Sequence, residues 1–338
     1  MPIDDSPPEM SEELHRLFGR GLRLEESLAR HGTFAVGGAA DAWVTVEQEE
    51  ELRTLVHLAV ARKWPLILVG NGTNVLYADA GARGIVARMA ISNWSLEELD
   101  GQHCLLTAGA GVNLPSLVND LAARGLGGLE WGAGVPGTIG GAVVSNAGAH
   151  GACIADTVQS VRVLLAAGDQ GSGGLPAVRT LTFPELELAY RHSRFRASRR
   201  IEFAEEGPPV IAARDQIDPV EMIVGATFRL KRVDADELRA RVKAYRKHRR
   251  DTQPVQASAG SVFKNPPGDY SARLIDEAGL KGASVGKALI STKHANFIVN
   301  PGGASAADIA RLIALAQRTV LERYGIELEL EVELRGDW

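Results

Sequence analysis

Cysteine is nearly absent. Cys104 and Cys153 are the only two in 338 residues, and neither belongs to a C-x-x-C pair. This argues against a disulfide scaffold and against a zinc cluster, no metal site is visible, and a reducing, cytoplasmic compartment is expected. Long apolar runs are absent too: nothing approaches the ~20 residues that a membrane-spanning helix needs. The N-terminus, MPIDDSPPEMSEELHRL, is acidic and has no apolar signal core, so export is not expected. An excess of positive charge is also missing. Lys and Arg number 37 against 42 Asp and Glu, a net charge of −5, which argues against nucleic acid or another polyanion held by bulk charge. No internal repeat is visible.

What the chain does have is glycine: 37 residues, about 11% against a usual ~7%. The length suggests two domains, with three possible. Helical and strand-like patterns alternate, which gives an α+β or α/β class. Apolar residues at Leu52, Leu55, Val56, Ala59 and Val60 predict a helix over Glu49–Lys63, stopped by Trp64-Pro65. Short strands are expected at Ala42–Val46, Pro65–Val69, Gly84–Met89, Cys104–Ala108, Val158–Leu165 and Met222–Leu230, with a helix at Leu114–Ala123. Asp169–Gly174 reads as a turn or inserted loop. Ser305–Tyr324 reads as an amphipathic helix with Ser305 as N-cap and Gly325 just past its end. Ile326–Leu334 alternates apolar residues with Glu327, Glu329, Glu331 and Glu333, the period of a strand with one buried face. Residues 1–20 read as a flexible, solvated arm.

The glycines cluster in two places. Gly70-Asn71-Gly72-Thr73-Asn74 follows an expected strand, and its amides could form an anion-binding nest. It is not a dinucleotide fingerprint, because Val75 stands where the third glycine belongs; a hairpin turn explains it equally well. Seven glycines then fall between Gly132 and Gly151, interleaved with Val, Ile and Ala. A flexible linker would be polar. This run suits the wall of a site for a long, flat, polar ligand such as a dinucleotide, or else a packed turn region.

The combination resembles the UDP-N-acetylenolpyruvoylglucosamine reductase family. The resemblance rests on Thr33–Asp41, Gly70–Asn74, Val135–Gly151, Tyr190-Arg191-His192-Ser193-Arg194-Phe195, Gly260-Ser261-Val262-Phe263-Lys264-Asn265-Pro266, His294-Ala295-Asn296-Phe297 and Glu331-Val332, in that order. It implies an FAD-binding region of the vanillyl-alcohol-oxidase/p-cresol-methylhydroxylase type in two parts, at residues 21–95 and 96–234. A C-terminal α+β domain, 235–338, would bind substrate. It further implies non-covalent FAD, with NADPH as co-substrate. Hydride would pass from NADPH to FAD and then to C3 of the enolpyruvyl group of UDP-N-acetylglucosamine enolpyruvate, giving UDP-N-acetylmuramate for peptidoglycan. A monomer of the shorter type, without the extra substrate-covering loop, is expected.

By the same resemblance Arg191, Ser261 and Glu331 occupy catalytic positions. Hydride addition at C3 leaves negative charge at C2 that spreads into the carboxylate, so the site needs a cationic fork and a proton donor. Arg191 can supply the fork, Ser261 the proton at C2, and Glu331 can orient the enolate or share a proton with it. Spacing alone does not separate Arg191 from Arg194, makes Ser261 a turn residue, and leaves Glu331 one of four glutamates on one strand face. The resemblance assigns FAD contacts to Gly70, Asn71, Gly72, Thr73, Asn74, Val135, Pro136, Gly137, Thr138, Gly140, Gly141, Ser145, Asn146 and Gly148. It assigns substrate contacts to Tyr190, Lys264 and Asn265. The segment Arg229–Arg250 carries ten Lys/Arg and three Asp/Glu. It either steers phosphates into the site or is a solvated helix face, the plainer account. His150 stands where many relatives have tyrosine, and extra residues lie near 169–174 and 199–218. Two other readings remain: a different flavin oxidoreductase of the same fold, with His150 a conceivable covalent attachment point, and a non-catalytic nucleotide-sugar binder.

Overall fold

The structure is a computed structural model that describes residues 8–167, 175–196, 201–202, 209–211 and 215–338. The loop expected at Asp169–Gly174, and much of the added stretch 199–218, lie outside these residues.

Two sheets share one core. The first has five strands in the order Arg23–Ser27, Ala39–Val46, Ala82–Met89, Leu66–Val69 and Ile217–Asp218, parallel except for the Arg23–Ser27 edge. Helix α2 (Glu49–Arg62) buries Leu52, Leu55, Val56 and Ala59 against it. Lys63 ends the helix in the left-handed region, with φ of 58°, and Trp64-Pro65 turns the chain into the next strand. The second sheet is antiparallel, in the order Ala177–Thr182, Val158–Leu165, Glu221–Arg232, His103–Gly109 and Trp94–Glu98. Helices α3 (Leu114–Ala123) and α5 (Ala235–Thr252) lie together beside it. Val44, Leu66 and Ile85 of the first sheet join Leu106, Val161 and Phe228 of the second in a continuous apolar cluster. The short helix α4 (Ile139–Val144), capped by Thr138, rises from the second glycine run.

A second cluster fills the C-terminal region. It is built from α6 (Ser271–Glu277), α7 (Ala306–Tyr324) and the meander Ser284–Val285, Ala288–Ile290 and Ile298–Val299. Ser305 accepts from the Asp308 amide at 3.0 Å, and Gly325 adopts φ of 67°, so both ends of α7 follow from their capping chemistry. Phe34, Val36 and Leu76 from the N-terminal half enter this cluster.

Two expectations need correction. The arm is not solvated over residues 8–18. Helix α1 (Pro8–Phe18) buries Met10 and Leu14 in the main core, and Arg62 of α2 reaches Glu9 and Glu13. The acidic composition hid two apolar residues one helical turn apart. The strand expected over Ile326–Leu334 is confined to Glu333–Arg335, which runs parallel to Val75–Tyr77, with an isolated bridge between Phe263 and Leu330. The alternation is real, since Leu328, Val332 and Leu334 are buried. At 330 and 331 side chains take backbone acceptors in place of a partner strand: Arg196 donates to the carbonyls of Leu330 and Glu331, and Asn74 to that of Glu331.

Leu14→Ala should destabilise the protein by about 2–5 kcal/mol, the usual cost of a cavity at a fully buried leucine. Leu17→Ala, on the exposed side of the same helix, should cost far less. Urea denaturation of both variants measures this, and equal small effects would mean that α1 does not hold its place in the core.

Candidate active site

The main cavity, about 680 Å³, opens between the two sheets and the C-terminal region, within the size range of cofactor and ligand sites. Gly70–Asn74 form one wall. The carbonyl of Gly72 accepts from the Thr33 amide at 3.2 Å, that of Thr73 from Thr33 Oγ1 at 3.3 Å, and that of Asn74 from the Glu333 amide at 3.0 Å. With these carbonyls engaged by protein donors, the loop suits an anion, which amides bind and carbonyl oxygens repel. Gly72 has φ of +62°, and a Cβ there would lie 1.9 Å from the His31 carbonyl oxygen. Thr73 Oγ1 donates to the Pro136 carbonyl at 3.2 Å, which ties this loop to the second.

Val135, Pro136, Gly137, Thr138, Gly140, Gly141, Ser145 and Gly148 line the opposite wall. Here the amides of Ile139 and Gly140 are already used, donating to Val112 and Ala110. A Cβ at Gly140 would meet that of Ala110 at 2.9 Å. The second run therefore supplies a flat, closely packed surface more than a set of free donors. Asn146 is not on this surface. Its side chain donates to the Ala189 carbonyl at 2.8 Å and accepts from the Ala155 amide at 3.1 Å, so it braces the loop that carries Arg191.

The structure separates Arg191 from Arg194, which spacing leaves equivalent, and both from the nearby Arg196. Arg194 grips Glu221 with two hydrogen bonds of 2.9 and 2.8 Å. Arg196 holds backbone carbonyls at 330 and 331. Arg191 lines the cavity, with Nε 2.9 Å from Glu331 Oε1 and Nη2 donating to the Gly148 carbonyl at 3.1 Å. Its φ of +51° is a left-handed conformation. A non-glycine residue there stores backbone strain of about 1–2 kcal/mol, which the surrounding contacts must hold.

Ser261 and Glu331 meet in the same cavity because their segments pair. The Glu331 amide donates to the Val262 carbonyl at 2.8 Å, and the Lys264 amide to that of Glu329 at 2.9 Å. Asn296 clamps the Ser261 segment from behind, accepting from the Phe263 amide at 2.9 Å and donating to the Phe263 carbonyl at 2.8 Å. Burial pushes the Glu331 carboxyl above the ordinary carboxylate range, against the opposing pull of Arg191 and Arg196.

Tyr190, Lys264 and Asn265 are not part of the cavity wall. Tyr190 is 59% exposed, and its hydroxyl accepts from the Asn265 amide at 3.3 Å. Lys264 pairs with Glu329 at 3.0 Å, and Asn265 Oδ1 accepts from the Ser271 amide at 3.1 Å. His150 lies outside the wall as well, stacked on Tyr245 with centroids 3.9 Å apart.

Sequence reasoning missed several wall residues. Arg249 of α5 packs its stem over Gly134, and among the described residues no carboxylate pairs with it. Arg250 and Gln253 line the wall beside it. Arg335 is almost fully buried. Burial opposes its charge, but Glu333 and Asp218, each 2.5 Å away, hold it protonated. A dense basic segment pointed to the first group without choosing among its members; nothing local pointed to the pairing of Arg335 with Asp218.

A cavity walled by two glycine loops, and lined also by an arginine–glutamate pair and a serine, has the build of a cofactor-dependent enzyme's active site. Residues 40–171 match the model of an FAD binding domain, and residues 253–335 that of the UDP-N-acetylenolpyruvoylglucosamine reductase C-terminal domain. The chain belongs to the UDP-N-acetylenolpyruvoylglucosamine reductase family. It is 41% identical to the enzyme of that name from Chloroflexus aggregans over 93% of this chain and 97% of the relative. With the Geobacter metallireducens enzyme it shares 39% over 97% and 100%. The crystal structure of the Thermus caldophilus reductase superposes with a TM-score of 0.70 at 35% identity, covering 93% of this chain and 99% of that one. The chain is thus an FAD-dependent oxidoreductase of mixed α and β structure, with an FAD-binding domain followed by the reductase family's C-terminal domain. Among the described residues no helix is long and apolar enough to cross a membrane, and no metal-binding cluster forms.

Gly72→Ala forces a side chain into both the left-handed region and the His31 carbonyl. FAD affinity should fall by about tenfold or more, given ~1–2 kcal/mol for the backbone alone. Gly101→Ala, with open space around it, should leave affinity unchanged. Flavin titration of the apoprotein decides this, and equal affinities would remove the first loop from the cofactor site. A second expectation concerns pH. A carboxyl whose folded pKa is raised adds stability at low pH that is lost as pH rises through that value. The stability of the wild type relative to Glu331→Gln should therefore fall as pH climbs above the ordinary carboxylate range. A pH-independent difference in thermal unfolding would show that Glu331 titrates normally.

Proposed function

We propose that the chain reduces UDP-N-acetylglucosamine enolpyruvate to UDP-N-acetylmuramate, with NADPH as hydride source and FAD as carrier. The observation that supports it best is the meeting of Arg191, Glu331 and Ser261 in one cavity with the Gly70–Asn74 loop. The residues present fit FAD: one loop has its carbonyls turned into protein, and the facing wall is flat where a Cβ would collide. Bound FAD supplies a store for hydride that can be delivered to C3 of the enolpyruvyl group. In this reading residues 21–95 and 96–234 hold the flavin and 235–338 the sugar nucleotide. Gly70–Asn74 face phosphate oxygens, and Asn146 acts from behind the wall.

The chain's own groups carry the rest. Arg191 presents its guanidinium to the substrate carboxylate, so that the enolate formed when hydride reaches C3 is stabilised as it develops. The proton on Ser261 Oγ moves to C2 and completes the saturated lactyl ether. Serine is a weak acid in water, but a carbanionic C2 is a far stronger base. Glu331, with its carboxyl pushed up by burial, keeps its proton to higher pH than an exposed glutamate, so it can share a proton with the enolate carboxylate. Tyr190, Lys264 and Asn265 bind the sugar nucleotide from the outer side of the Ser261 segment, reached when substrate fills the cavity mouth.

Two half-reactions separate these roles. In Ser261→Ala, NADPH should bleach the flavin band at the wild-type rate, while colour should return on adding substrate about 10²–10⁴ times more slowly, the span of general acid catalysis. Equal slowing of both steps would sink the proton-donor role. Glu331→Gln should slow reoxidation, whereas Glu329→Gln, whose carboxylate pairs with Lys264 at the surface, should not.

A further inference from the structure

Arg196 has no role in the chemistry above and does not line the cavity. Its side chain nevertheless ends on the backbone beneath the Glu331 carboxyl. Nη2 donates to the Glu331 carbonyl at 2.6 Å and to that of Leu330 at 3.2 Å. Asn74 Nδ2 donates to the same Glu331 carbonyl at 2.8 Å. The arginine is held in turn by a tight bend. Ser193 is fully buried, its hydroxyl donates to the Val144 carbonyl at the end of α4 at 2.6 Å, and its carbonyl accepts from the Arg196 amide at 3.1 Å. Nη1 is buried with no hydrogen-bond partner among the described residues, a cost of about the kind that removing a buried partner incurs. A plain structural bond to a carbonyl would not need a guanidinium with both N–H groups of Nη1 left over.

We propose that Arg196 is a positioning residue for Glu331: its guanidinium, with Asn74, fixes the peptide from which the Glu331 carboxyl reaches Arg191, and so sets that carboxyl against the flavin wall. The chain of contacts runs from α4 through Val144 and Ser193 to Arg196 and then to Glu331. It links the surface proposed for the flavin with the group proposed to handle the proton, and it rests on that reading of the site. Arg196 also brings positive charge near the carboxyl. The charged groups facing Glu331 are Arg191 and Arg196 from the 190–196 loop, and Lys264 with its partner Glu329 from the paired segments. Glu333 and Arg335 follow in the chain, with Asp218 bound to Arg335.

The test uses Arg196→Met, which removes bonds and charge, and Arg196→Lys, which keeps charge and one reach to the carbonyl. Arg196→Gln takes the place of the methionine variant if that does not fold. The first readout needs no turnover: the pH midpoint of the change in the stability difference from the matching Glu331→Gln double variant. It should move to higher pH in Arg196→Met and return toward wild type in Arg196→Lys. The second is the pair of half-reactions. Return of colour with substrate should slow on the order of ten- to a hundredfold in Arg196→Met, since ~1 Å of misplacement costs roughly that much, while bleaching by NADPH stays near wild type. An unmoved pH midpoint, or equal loss in both half-reactions, overturns the proposal. If the wild-type protein bleaches but never recovers with substrate, the functional reading fails, and the pH midpoint still decides whether Arg196 sets the environment of Glu331.

Discussion

The site depends on one short stretch of backbone at residues 329–332. Three separate pieces of the chain converge on it: Asn74 from the first sheet's loop, Arg191 and Arg196 from the loop after the second sheet's edge strand, and Val262 from the C-terminal region. Each contributes a hydrogen bond or an ion pair, and together they replace a regular β-ladder. A ladder would have satisfied the same carbonyls more simply. Its absence makes sense only because those acceptors must be met from two other parts of the fold. The result is that Glu331 cannot be placed unless all three regions are in position.

The glycines enforce the same constraint from the other side. At Gly72 the backbone lies so close to the His31 carbonyl that any side chain would collide, and at Gly140 so close to Ala110 that the wall would have to shift. The first loop is pressed down on residues 31–33, and the second on the Ala110–Val112 corner. A single bond from Thr73 to Pro136 joins them across the cavity. Close packing therefore determines the width of the cleft, and a rigid cleft is what lets two reactants be held at a repeatable distance.

Much of this is legible in the sequence, because the signals are local. Helix α2 stops where Trp64-Pro65 says it must, and α7 begins at Ser305 and ends at Gly325 for capping reasons. The order of the glycine runs and the short motifs points to the family. What is not legible is long-range. Nothing around Arg191, Arg194 and Arg196 says which one faces a cavity, since each answer lies in a partner 27 to 140 positions away, as with Glu221 and Glu331. Alternation at 326–334 identifies the buried face but not that side chains would take the ladder's acceptors. The docking of α1 depends on Met10 and Leu14 among many polar neighbours. Asn296 reads as part of a motif, yet its work, clamping the Ser261 segment, appears only when both strands are in place.

The charges lining the cavity are not evenly balanced, and the imbalance follows the chemistry proposed for it. Around the reacting end each cation has a carboxylate: Arg191 has Glu331, and Arg335 has Glu333 and Asp218. Burying such pairs is costly unless they are well matched, and the reward is a site close to neutral before substrate arrives. A carboxylate brought there must compete with Glu331 for Arg191. That competition is relieved when Glu331 holds a proton, the form favoured by its burial. At α5 the balance is different. Arg249 lines the wall with no acid opposite it among the described residues, so this part of the cavity is left positive. A ligand with phosphates at one end and a weakly charged reacting group at the other would be oriented by that difference alone, before any specific contact forms.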